Sequence, residues 1–141
     1  MALHILRMLG VLAAAYGLLR LYGTRQVFIY PTVDEVEVVG AAPGGLVTVR
    51  GTIQKLRGEC VVKPIHTDTI LTDATGNAFI INQRSGIVLD LPAGTFDVEM
   101  HFEMPRFAVP GMGTVEYHNL YNCGLFEVYQ ESPAYAVEVL E

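Results

Sequence analysis

Residues 96–104 read FDVEMHFEM and alternate strictly between apolar and polar side chains. Phe96, Val98 and Met100 begin the apolar series, and the residues between them are acidic or histidine. Because successive side chains of a strand point to opposite faces, this stretch predicts a strand with one buried and one solvated face. Such a strand is typical of an antiparallel sheet that covers a core on one side.

The same period of two recurs on both sides of this stretch. Val36 and Val38 alternate with glutamates, and Val47, Val49 and Ile53 alternate with polar residues. Further strands are predicted at 61–65, 69–72, 78–82, 86–89, 114–123 and 135–140, with turns rich in Pro, Gly or Asp at 43–45, 73–77, 92–94 and 110–113. Seven or more short strands after residue 25 predict an all-β fold, either a sandwich or a barrel.

An uncharged apolar run at residues 8–19, MLGVLAAAYGLL, precedes the strands. Taken over residues 2–22, it approaches the roughly 20 residues of a membrane span if Arg7 and Arg20 extend their charges toward the interfaces. Three interpretations are open: an uncleaved membrane anchor, a secretory signal cleaved after Ala15, or a helix packed in protein. The apolar run beyond Ala15 and the arginines that follow it favour the anchor.

Small residues line one face of this predicted helix, since Gly10, Ala14 and Gly17 fall at positions i, i+4 and i+7. Such a face lets a second helix approach closely and predicts a homo-oligomer through the helix. The alternative is that Gly and Ala are simply common in membrane helices. We expect three segments: a hydrophobic anchor helix at 1–25, a linker at 26–33 and a β-sandwich domain at 34–141.

Charge divides the chain in the same place. All 15 acidic residues follow residue 25, whereas residues 1–25 contain Arg7, Arg20 and Arg25 and no acidic residue. An acidic domain has no electrostatic attraction to a phosphate backbone, which proteins bind through basic surfaces. Nucleic-acid binding is therefore not expected.

Cys60 and Cys123 are the two cysteines of the chain and lie on separate predicted strands. Together with the triplet Tyr121-Asn122-Cys123 they resemble an immunoglobulin-like sandwich, over about residues 33–140. The resemblance implies a Cys60–Cys123 disulfide that links facing strands across the core, and a tyrosine corner at Tyr121. A bridge would place the domain in an oxidising compartment, the periplasm or the exterior. Two buried reduced thiols are the alternative.

Four of the six basic residues beyond residue 25 lie close together in sequence: Arg50, Lys55, Arg57 and Lys63. They form a candidate docking patch for an acidic partner or for lipid head groups. The alternative is that they balance the acidic residues of neighbouring strands.

Catalysis and metal binding find no support in residue spacing. His66-Thr67-Asp68 and Asp73 match no metal-ligand pattern, and no serine or cysteine stands in a nucleophile motif. His101 lies between Glu99 and Glu103 on what is most simply a solvated strand face. We therefore predict no catalytic residue, no metal, no cofactor and no enzymatic activity.

Residues 50–60 and 71–76, Pro110-Gly111 and residues 121–123 resemble small proteins of tailed bacteriophages, which have a short hydrophobic helix and an all-β domain. The resemblance implies a viral setting without an activity. Two functions are predicted: a membrane-anchored interaction or adhesion module with an unidentified protein partner, or a structural virion component such as a decoration, cement or tail accessory protein.

Overall fold

The computed structural model describes residues 2–23, 26–82 and 91–141, without the side chains of residues 2, 19–23, 64–66 and 82. Helix α1 spans Ala2–Gly23. The strands are β1 (Phe28–Ile29), β2 (Glu37–Val39), β3 (Leu46–Lys55), β4 (Val61–Thr72), β5 (Ala78–Asn82), β6 (Gly94–Glu103), β7 (Gly111–Asn122), β8 (Glu127–Glu131) and β9 (Tyr135–Val139). The chain is thus mostly β with one N-terminal helix, as the sequence predicts. The strand predicted at 86–89 lies outside the described residues.

The described strands form two antiparallel sheets. In the first sheet β3 is central, with β6 along one side and β1 and β2 along the other. In the second sheet β4 and β7 are neighbours, β5 extends the sheet beyond β4, and both β8 and β9 pair with β7. A parallel bridge between Ala41 and Val139 joins the β2 side of the first sheet to β9 of the second. The result is a sandwich-like fold, which we call the β domain (described residues from 26 onward).

The core lies between the two sheets. The strand predicted from FDVEMHFEM is β6, whose Phe102 is buried while its Glu99 and Glu103 are exposed. On β3, Val47, Val49 and Ile53 are buried, which confirms the alternation predicted there.

β7 fixes the long axis of the β domain, because its 12 residues span roughly 40 Å. At its C-terminal end lie Val27 and the turns that join β3 to β4 and β7 to β8. We call this the proximal end, since α1 joins the domain there. At the other end, the distal end, lie the β4–β5 turn and the loop at 104–110.

The structure differs from the sequence expectation in three strands. β4 is one strand with a bulge between Val62 and Thr67, where two strands were predicted. Pro64 lies in the bulge and has no backbone N–H to donate to the neighbouring strand. The break in the alternation of apolar and polar residues therefore marks an irregularity within one strand. β8 and β1 were not predicted, and β1 lies within the expected linker at 26–33, where Val27 and Phe28 are buried in the core.

Candidate functional site

Helix α1 exposes apolar side chains around its whole circumference. Leu9, Val11 and Leu12 are each at least 60% exposed, and they point in three different directions around the helix axis. Among the described residues, we find no helix whose length and apolar character are sufficient for a membrane span. Helices that are apolar on all sides are normally buried in protein or in a membrane.

The predicted helix-packing residues lie on α1, as expected. Open space surrounds Gly10 and Gly17, since a Cβ built on either one has no described atom of another part of the fold within 4 Å. Ala14 is exposed on the same helix. The small-residue face is therefore accessible, and its use in self-association stays a prediction.

Cys60 and Cys123 form the predicted disulfide, and both are buried. Its position differs from the expected one: Val61 pairs with Asn122, so the bridge joins neighbouring strands of one sheet, not facing strands of two sheets. The bridge closes the proximal end of the β4–β7 pair. A disulfide is compatible with an oxidising compartment.

The candidate docking residues do not come together on one surface. Arg50 lies on the outer face of β3, where its Nε is 2.6 Å from Glu99 Oε2. Lys55 lies on the inner face of β3, only 2% exposed, with its Nζ 5.6 Å from the centre of the Phe28 ring. Lys63 lies on the other sheet and pairs with Glu127.

Arg50, Arg57 and Lys63 each form an ion pair with a glutamate. The hydrogen bond from Arg50 lowers the pKa of Glu99, and the same contact raises the pKa of Arg50. Arg57 Nε lies 3.5 Å from Glu59 Oε1, and its guanidinium lies 5.0 Å from the centre of the Phe126 ring.

Tyr121 belongs to a buried cluster of hydroxyl groups between the sheets. Its Oη lies 3.4 Å from Tyr30 Oη, which also accepts a hydrogen bond from Asn119 Nδ2 at 3.1 Å. The hydroxyl of Tyr121 thus contacts a side chain far upstream, whereas a tyrosine corner bonds to nearby backbone. Burial raises the pKa of Tyr121 and of Tyr30, and it raises that of Tyr135 to about 12.

A cavity of about 50 Å³ lies beside this cluster. Val49, Ile53 and Met100 contribute apolar walls from the first sheet, while Tyr117 and Asn119 line it from the second. Tyr117 Oη and Asn119 Oδ1 are buried without a hydrogen-bond partner among the described residues. The space exceeds the roughly 10–15 Å³ that one water molecule needs.

Two histidines lie on the outer faces of the sheets. His101 Nε2 is 2.8 Å from Glu99 Oε1, and its Nδ1 is 3.0 Å from Thr48 Oγ1. His118 Nδ1 is 2.6 Å from Tyr129 Oη, a contact that sequence reasoning missed because β8 was not predicted. Within the described residues, no group of three or more His, Cys, Asp and Glu side chains is arranged to hold a metal ion.

Of the remaining polar residues singled out in the sequence, Asp73 is buried in the β4–β5 turn. The side chain of His66 lies outside the described residues. Glu103 is exposed near Arg106, with 4.0 Å between Oε1 and Nε.

Comparison with known proteins gives no relatives: no protein-family model, no curated protein and no solved structure matches this chain.

Proposed function

We propose that this protein is a non-catalytic binding module that α1 anchors to a membrane, with the β domain in an oxidising compartment. The observation that carries the proposal is the apolar surface that α1 exposes on all sides, interrupted by His4 and Arg7. Leu, Ile, Val and Met side chains on all its described sides are more than half exposed. Removing such a surface from water is favourable by about 25 cal/mol per Å² of apolar area.

α1 is the segment that we propose enters the bilayer. Its 22 residues give a length of about 33 Å, close to the roughly 30 Å of a hydrocarbon core. Arg7 lies near the N-terminal end of the helix, where its long side chain can extend to the lipid head groups. A helix that is apolar on every side favours insertion over lying flat at the interface, which requires a separate polar face.

The Cys60–Cys123 disulfide supports the proposed oxidising compartment. Disulfides persist in oxidising surroundings and are rare in the cytosol. The more specific immunoglobulin-like class is part of the proposal, supported by two packed antiparallel sheets and by the Tyr121-Asn122-Cys123 triplet. The viral setting is also part of the proposal, and the resemblance to small phage proteins supports it.

The distal end supplies the surface that we propose meets a partner. Phe107 is 87% exposed in the loop at 104–110, and Leu46 and Met112, at the distal ends of β3 and β7, are also exposed. Exposed aromatic and aliphatic side chains on loops held by a rigid sheet are typical of protein-binding surfaces. This end lies at the opposite end of β7 from the proximal end, where α1 joins the domain.

Alkaline extraction of membranes from producing cells tests the anchor. We expect the full-length chain to stay with the membranes and a Leu9→Asp/Leu12→Asp variant to be released. The matched control, Leu46→Asp/Ile80→Asp, adds the same charge at exposed positions of the β domain and should stay with the membranes. Release of the unmodified chain would contradict the proposal, and its recovery only in assembled particles would favour the virion component instead.

A further inference from the structure

The proximal end of the β domain is tied closely to α1. Val27 is fully buried, and its carbonyl oxygen accepts a hydrogen bond of 2.8 Å from the backbone N–H of Leu56. Only residues 24–26 separate Gly23 from Val27, so their Cα atoms are at most about 14 Å apart whatever path the chain takes. The medium that holds the end of α1 is therefore also close to the proximal end.

Two turns form the surface of that end, and they are held together. The Cys60–Cys123 disulfide connects the β3–β4 turn to the β7–β8 turn. The stacking of Arg57 on Phe126 connects them a second time. These links fix the two turns relative to each other and to Val27.

Apolar side chains project from both turns. Leu125 is fully exposed, and Leu56 is 42% exposed. Gly124, with a φ of +86°, and the hydrogen bond from Cys123 N to Phe126 O close the turn tightly, so Leu125 is presented at its tip. Transfer of these two leucine side chains from water into an apolar phase is favourable by about 25 cal/mol per Å² of apolar area.

We propose that Leu125 and Leu56 insert into the lipid bilayer that holds α1, so that the proximal end of the β domain rests on the membrane surface. The inference rests on the proposed function. Near these leucines, Lys63 pairs with Glu127 and Arg57 with Glu59. Because acidic partners offset these cations, the contact is apolar and takes place equally on zwitterionic vesicles.

The chain has no tryptophan, so each single-tryptophan variant reports on one position. The full-length chain with Leu125→Trp, Leu12→Trp or Phe107→Trp is reconstituted in two sets of phosphatidylcholine vesicles, one with bromine on the acyl chains near the head groups and one with bromine near the chain ends. We expect bromine near the chain ends to quench the emission from position 12 and bromine near the head groups to quench that from position 125, with a blue shift at both. Position 107 at the distal end should stay unquenched in both sets of vesicles. Leu56→Trp provides a second proximal probe and should behave like position 125.

The outcomes separate this inference from the proposed function. Quenching at position 12 without quenching at 56 or 125 would overturn the inference and leave the anchor standing. Equal quenching at 107 and 125 would also overturn it, because the β domain would then lie on its side. An unquenched position 12 would overturn the membrane anchor itself. An intact disulfide, measured by mass without reducing agent, confirms that each variant is folded.

Discussion

The carboxylate of Asp73 accepts a hydrogen bond of 3.0 Å from the backbone N–H of Val109 and so joins the β4–β5 turn to the β6–β7 loop. Its other oxygen accepts hydrogen bonds from the backbone N–H groups of Thr75 and Asn77. Burial raises the pKa of Asp73, but the hydrogen bonds from Val109, Thr75 and Asn77 outweigh this effect and lower the pKa to about 2. The distal end therefore depends on an ionised carboxylate.

Acid should weaken the β domain through Asp73. The unfolded chain takes up this proton near its ordinary pKa of 3.8, and the folded chain only near about 2. The stabilisation is therefore complete above about pH 4 and is lost as the pH falls toward 2. In thermal unfolding scans, Asp73→Asn should lower Tm at neutral pH and flatten its decline over this range. Asp34→Asn, at an exposed position, is the control, and an equal pH profile for both variants would contradict the assignment.

Removal of the disulfide should destabilise the β domain strongly. Cys60 and Cys123 are 63 residues apart in sequence, and a loop of that length corresponds to about 4 kcal/mol of unfolding free energy. We expect Cys60→Ser/Cys123→Ser to lower the urea midpoint accordingly. The intact mass of the unmodified full-length chain, taken without reducing agent, should be lighter by a pair of hydrogens than that of the reduced chain. Free thiols in membrane-derived material would argue against an oxidising compartment.

Close approach of β7 to β4 should exclude any side chain at Gly113. A Cβ at this position would lie 2.2 Å from the carbonyl oxygen of Thr72, so the strands would have to separate. Gly113→Ala is expected to cost about 1–3 kcal/mol. Gly10→Ala on α1 meets open space and should leave the unfolding of the β domain unchanged. Equal urea midpoints for the two variants would refute the predicted clash.

The hydroxyl of Tyr117, which has no hydrogen-bond partner among the described residues, gives a test of the cavity. Removing a buried hydroxyl that has no partner relieves a desolvation penalty, so Tyr117→Phe should raise the stability by about 1 kcal/mol. Tyr121→Phe removes a hydroxyl that contacts Tyr30 and should lower the stability by a similar amount. If Tyr117→Phe instead destabilises the domain, the cavity holds a molecule that bonds to Tyr117 and Asn119.

Sequence reasoning predicted the strands whose inner face is apolar, such as β3 and β6, because burial of that face produces the period of two. It missed β8 because Gln130 replaces an apolar residue on the inner face. The side-chain amide of Gln130 accepts hydrogen bonds from the backbone N–H groups of Val27 and Phe28, which are 3.0 and 3.1 Å away. Because the partners of Gln130 are far away in sequence, the alternation of apolar and polar residues within β8 does not reveal the strand.

Candidate site residues were harder to predict than strands. The Cys60–Cys123 disulfide that the immunoglobulin-like resemblance implies is confirmed by the structure. Lys55 was expected at a surface because lysine is rarely buried, yet the Phe28 ring lies close to its ammonium group. That contact depends on β1, a strand of two residues that is too short to show a period.

The cavity between the sheets determines how the β domain responds to compression. Unfolding removes the cavity of about 50 Å³, and the decrease in volume on unfolding grows with the internal void volume that is eliminated. Hydrostatic pressure therefore favours the unfolded state. The β domain should melt at a lower temperature under pressure than at one atmosphere, and the size of that shift measures how empty its interior is.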